Sequence, residues 1–113
     1  MNGIKRINKE RLRQINSKGW TPEHDDEHDK GQLALAAACY ATPINLYRQR
    51  NYATSVNFED PWPWNDEWDK RLYDGNVLLA NRGASFSKRI RQLEKAGALI
   101  AAEIDRLIRK QKA

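Results

Sequence analysis

Polar and apolar positions follow a helical period in three stretches of this chain and no period in a fourth. In KERLRQINSK, Leu12 and Ile15, with Ile7 just outside, make a narrow apolar stripe, so a helix here leans on the body and shows most of itself to water. Asn8 is placed to cap that helix and Gly19 to stop it, which predicts a span near residues 8 to 18. KGQLALAAACYAT is apolar nearly all round and rich in alanine, the pattern of a central buried helix that starts near Lys30 and is ended or bent by Pro43. Alanines at 34, 36, 37, 38 and 41 leave room for a neighbouring backbone, and AGALIAA at 96–102 supplies matching small residues, so these two helices are expected to cross closely. Ser85 or Ser87 can cap a last helix. In it Ile90, Leu93, Gly97, Ile100, Ile104 and Leu107 are spaced 3, 4, 3, 4, 3, a seam of the coiled-coil type. Burial of that seam against the first two helices is the favoured reading, and self-association is the alternative. IRKQKA at the end reads as basic and frayed.

From Ile44 to Asn81 the signals are mixed. INLYRQRNY predicts a helical turn or a short helix continuing past Pro43, whereas ATSVNFEDPWPWND is punctuated by two prolines and has no period. A long aperiodic segment in a small domain is functional or disordered as a rule, and its three tryptophans argue for order. The expectation is an all-α fold, a single domain over residues 1–113 with three to four helices and a long Trp-rich loop.

Composition narrows the class. With 40% hydrophobic and 31% charged residues the chain reads as a globular protein, and no run of about 18 apolar residues is available to span a membrane. MNGIKRINKERLRQ lacks the apolar stretch of a signal peptide, and the one cysteine, Cys39, sits in LALAAACYA as a small buried hydrophobe. The expected setting is therefore reducing and intracellular, a cytoplasm. The net charge of +5 is distributed in blocks. Residues 1–20 hold six basic and one acidic side chain, 21–30 one basic and five acidic, 59–69 five acidic and no basic, and 70–113 eleven basic and four acidic. A nucleic-acid binder shows one uninterrupted basic face, whereas alternating blocks also attract one another within a fold.

The densest chemistry lies in GWTPEHDDEHDKG, residues 19–31, with Trp20, both histidines and five acids. His24-Asp25-Asp26-Glu27-His28 matches the H-x-x-E-H pattern of zinc peptidases, in which two histidines one helical turn apart hold the metal and the glutamate is the base. Pro22 just upstream, the lack of apolar flanks and the lack of a third histidine argue against it. His24-Asp25 and His28-Asp29 evoke His-Asp metal phosphohydrolases, which need further histidines. A magnesium site needs Glu-x-x-Glu pairs on facing helices, and Glu103 and Asp105 are two apart. The reading is non-enzymatic, with no metal and no cofactor. The bland assignment for Asp25, Asp26 and Asp29 is a cap on the central helix worth about 0.3–1 kcal/mol each, with His24 or His28 as polar partner. In DPWPWNDEW, Trp62 and Trp64 point to opposite sides of an extended chain, and Trp68 follows on a turn that Asn65 or Asp66 could cap. Such rings either cover the core or stack a base.

The run ERLRQINSKGWTPEHDDEHDKGQLALAAACYA, then PWPW, then RQLEKAGALIAAEIDRL resembles a large group of small phage and prophage proteins without an assigned function, over about half the chain. Ile15, Gly19, Trp20, Thr21, Asp25 and Asp26 are also similar to the ryanodine-receptor repeat domain, in which a helix ends in Gly-Trp-Thr before an Asp-Asp turn. That second resemblance implies a pocket for nucleotide-derived ligands. The first implies an accessory protein that counteracts host defence, which makes that cytoplasm a host cell's. The leading expectation is a pocket of Trp20, His24, Asp25, Asp26, His28, Trp62, Trp64 and Trp68 holding a small nucleotide-like ligand, in a homo-oligomer formed through the C-terminal helix. The alternative is a protein-binding inhibitor of a host defence complex, of anti-CRISPR type, whose acidic loops mimic phosphates. A third is a nucleic-acid-binding accessory protein using the basic first and last helices.

Overall fold

The computed structural model describes residues 1–75, 77–79 and 82–113; residues 80 and 81, at the end of the aperiodic segment, lie outside the described residues. Four helices occur in chain order with two hairpins between the third and fourth: α1 (Gly3–Lys18), α2 (Pro22–Asp26), α3 (Gln32–Ala41), β1 (Arg48–Asn51), β2 (Val56–Glu59), β3 (Tyr73–Asp74), β4 (Val77–Leu78) and α4 (Phe86–Lys112). A single 3-10 turn, Asp66–Trp68, precedes β3. The architecture is mixed α and β, which corrects the all-α expectation. β1 pairs antiparallel with β2 in the register Arg48↔Glu59 to Asn51↔Val56, and β3 with β4 through Tyr73↔Leu78 and Asp74↔Val77. α3 stops at Ala41 because Pro43 forces Thr42 to an extended ψ of 138°, so INLYRQRNY, expected as a helical turn or short helix, runs extended into β1. The first hairpin is then held by Arg48 and Arg50, which both donate to Glu59 across the strands.

α1 starts earlier than its apolar residues suggest. Asn2, not Asn8, accepts the Lys5 N–H at 3.0 Å, and Gly19 closes the helix at φ 71°. The thin apolar stripe has a physical reason, because the inward face of α1 is polar: Glu10, Arg11 and Gln14 are all buried. Glu10 takes Arg13 at 2.7 Å and Arg91 of α4 at 2.8 Å, and Arg6 reaches Glu94 at 3.1 Å. α1 crosses α4 at Gly97, where an added Cβ would lie 2.5 Å from Ile7 Cδ1.

The core lies between α3 and α4. Leu33, Ala36, Ala37 and Tyr40 interlock with Ala96, Leu99 and Ala102, the close approach that facing small residues allow. Trp20, Trp62 and Trp64 close it from the side. Ser85 caps α4 by accepting from Lys88 N–H. The heptad stripe of α4 is not buried: Ile90, Leu93, Ile100, Ile104 and Leu107 stay about half exposed, since α3 takes the alanine face beside them. Gly97, within that stripe, packs against α1 through Ile7.

No aspartate caps α3, which begins after Gly31 at φ 80° without a side-chain cap. The acidic run folds as a short helix of its own, with Pro22 in its first turn and Thr21 Oγ1 accepting the His24 N–H at 3.3 Å. Asp25 points inward, fully buried, and pairs with Arg11 of α1 at 2.5 Å. Asp26 points outward to Arg109 of α4 at 2.7 Å. α2 is thus clamped between the first and last helices by two arginines.

Candidate functional site

Gly19 ends α1 in the left-handed conformation, and the next N–H, that of Trp20, donates back to Gln14 O at 3.0 Å. This fixes where the Trp20 ring emerges. α2 then lifts His24 over it, the two rings parallel to within 5° at 5.9 Å between centroids. His28, just past the end of α2, packs on His24 at 5.0 Å and on Trp64 at 5.1 Å. Trp64 returns to Trp20 at 6.4 Å, so four rings form a continuous aromatic wall.

The opposite side comes from PWPWNDEW. Asp60 accepts the Trp62 N–H at 2.9 Å, and the Trp62 ring seats on Tyr40 at 5.5 Å with the Arg71 guanidinium 5.1 Å from its centroid. Arg71 is itself nearly buried, held by Asp60 at 2.9 Å and Asp69 at 2.8 Å. Burial works against ionised Asp69, yet hydrogen bonds from Arg71 and Tyr73 hold its carboxyl below the usual range. The loop is thereby pinned on one arginine. Trp64 stands perpendicular to Trp62 at 5.7 Å, and the 3-10 turn presents Trp68, 49% exposed, at the rim.

Between these elements lies a cleft of about 330 Å³, lined by Trp20, His24, His28, Trp64 and Trp68, with Leu33, Pro63 and Asn65 completing it. That volume is within the range of small-molecule sites. Its polar groups are few and well placed. The imidazoles of His24 and His28 line it, whereas the Trp64 Nε1–H, without a hydrogen-bond partner, is buried out of reach of solvent. Burial, and then the neighbouring charge of His24, push His28 below its ordinary value of 6.5, which keeps its ring neutral at pH 7.

Of the eight residues expected in a pocket, the structure brings Trp20, His24, His28, Trp64 and Trp68 together. Asp25 and Asp26 face away, engaged by Arg11 and Arg109, and Trp62 stands behind Trp64 as its support. Leu33, Pro63 and Asn65 are additional lining residues. Pro63 and Asn65 sit within the Trp-rich run, while nothing in the sequence distinguishes Leu33 from other core leucines. α2 ends at Asp26, so His24 and His28 are not one turn apart on a continuous helix as a zinc-peptidase motif requires. Among the described residues, no group of three or more His, Cys, Asp and Glu side chains converges as a metal site. Among them, too, no helix is long and apolar enough to cross a membrane.

Fold and site together describe a small helix-dominated domain with an aromatic cleft at the junction of α2 and the Trp-rich loop. Compared with family models, with curated proteins and with solved structures, the chain has no significant match.

Proposed function

We propose that this protein is a non-enzymatic binding protein that takes a small nucleotide-like ligand into the aromatic cleft, as a phage-type accessory factor that counteracts host defence signalling. The observation that carries the reading is the wall of Trp20, His24, His28 and Trp64 around a cleft of about 330 Å³ lined by two imidazoles. A nucleobase offers a flat π-face to stack, worth about 1–3 kcal/mol per aromatic contact, and polar ring edges for the imidazoles of His24 and His28. Neutral His28 supplies one further donor or acceptor according to tautomer. The defence setting rests on the resemblance to phage proteins.

Phosphate mimicry by the acidic loops is the less favoured reading, because Asp25, Asp26 and Asp60 are each engaged by an arginine of the same chain. Association of two copies through α4 belongs to the favoured reading. The exposed stripe of large apolar residues repeats at the 3, 4 spacing that lets two copies of one helix interlock.

Native mass spectrometry of protein purified from infected cells tests the ligand. A bound small-molecule mass, and a rise in Tm with one or more members of a nucleotide panel that Trp64→Ala abolishes, is the expected result. A clean apo mass with no thermal shift across the panel overturns it.

A further inference from the structure

Trp20 and Trp68 also line a second cavity, a groove of about 130 Å³ whose lining includes the buried Tyr40 and Leu99. Its charged lining is four cations, Arg13, Lys18, Lys70 and Lys95, against the carboxylates of Glu10 and Glu67, with the amide of Gln14 beside them. Glu10 is already shared by Arg13 and Arg91 at 2.7 and 2.8 Å. The side chains of Lys18, Lys70 and Lys95 form no ion pair among the described residues. Lys95 is held in place regardless: its ammonium lies 5.6 Å from the centre of the Tyr40 ring, whose hydroxyl accepts the Lys70 backbone N–H at 3.1 Å.

We propose that this groove is a phosphate subsite, and that the ligand spans both cavities, its base in the aromatic cleft and its phosphate on Lys95, Lys70 and Lys18, with Trp20 and Trp68 common to both. The ligand class becomes a phosphorylated nucleotide, not a free base or nucleoside; this rests on the reading of the aromatic cleft given above. A half-buried ammonium among like charges is disfavoured until an anion joins it, and a phosphate oxygen is the partner that compact lysine charges suit. Lys95 is the lysine most affected by these surroundings. Burial, then Arg91, lower its pKa, with Arg13 and Lys70 adding to the effect and Glu10 opposing it. Glu67, on the exposed rim next to Trp68, leaves the groove net positive.

Isothermal titration of the full chain with the four common nucleoside 5′-monophosphates, the matching nucleosides and inorganic phosphate alone tests this. The expected result is at least one monophosphate that binds about tenfold or more tightly than its nucleoside, an advantage that shrinks with added salt. Lys95→Met and Lys70→Met should each remove most of that advantage and leave the nucleoside affinity unchanged, which a misfolded variant could not do. Equal affinity for nucleoside and monophosphate, both lost in Trp64→Ala, overturns the phosphate subsite and leaves the aromatic reading standing. Inorganic phosphate binding that Lys95→Met abolishes, with no binding of any nucleoside or nucleotide, supports the anion site while overturning the base site. Absence of binding in every arm overturns both.

Discussion

Asp25 carries more structure than any other residue of the acidic turn. Its carboxylate is fully buried, takes Arg11 at 2.5 Å on one side and lies 3.3 Å from His24 Nδ1 on the other, so it joins α1 to the aromatic wall. Replacing Arg11 by methionine leaves that carboxylate buried without a counter-charge. Chemical denaturation should report a loss of about 3–5 kcal/mol for Arg11→Met, and the double variant with Asp25→Leu should recover much of it. A double variant no more stable than Arg11→Met would show that the pair contributes nothing specific. The sequence marked the tryptophans and histidines of the cleft as candidates by their clustering around Gly, Pro and Asn turns, while leaving core burial as an equal use for the rings. The direction of Asp25 was not legible. It depends on an arginine 14 positions earlier, on a helix face that reads as solvent-exposed by pattern alone.

At the scale of elements, α4 carries two different faces. The alanine face meets α3, and the neighbouring stripe of Ile90, Leu93, Ile100, Ile104 and Leu107 stays half open. Core substitution and stripe substitution should therefore part company. Leu99→Ala, within the core, is expected to cost about 2–5 kcal/mol of stability. Ile104→Glu, 52% exposed, should leave Tm nearly unchanged while shifting the mass measured by light scattering from dimer to monomer. A wild-type chain that is monomeric at every concentration removes the self-association reading. α1, α3 and α4 were legible from their apolar patterns, with Gly19 and Ser85 as end signals, and the close crossing of α3 and α4 followed from facing alanines; the α1 and α3 N-caps and the whole of α2 were not. The hairpins were not, because β1 is exposed along its whole length and shows no inward and outward alternation. Its pairing rests on Arg48 and Arg50 meeting Glu59, and a charge pair across nine to eleven positions leaves no periodic trace.

The whole molecule measures 44 × 39 × 21 Å, a slab whose radius of gyration of 15.3 Å exceeds the roughly 13 Å of a compact chain this long. Its alanine-built core is small, so buried polar groups contribute a large share of the stability and make it respond to pH. His28 titrates in the fold below 6.5, so as pH falls through 6.5 the unfolded chain takes up that proton first. Stability should shrink from about pH 6.5 down to the folded value and then level off. Glu10 is held below 4.5, hydrogen bonds from Arg13 and Arg91 outweighing burial, and Asp69 is held below 3.8 in the same way. Their contributions are complete above those values and are lost as pH falls further. Scanning calorimetry should thus show Tm already falling from about pH 6.5, before the carboxylates protonate, and His28→Gln should remove that early part while leaving the acid decline. A single decline below pH 4.5 in the wild type would contradict this account of His28.

All four tryptophans of the chain belong to one patch, with indole centroids 5.7 Å apart for Trp62 and Trp64 and 6.4 Å apart for Trp20 and Trp64. Rings so near, set at 89° and 61° to one another, share their excited states, and the imidazoles of His24 and His28 stand within the same stack. Nearly all the ultraviolet emission of the protein therefore originates where a ligand would enter, and a protonated imidazole is an efficient quencher of indole. The cleft is its own optical gauge: emission intensity and near-ultraviolet dichroism register occupancy and histidine charge without any added label.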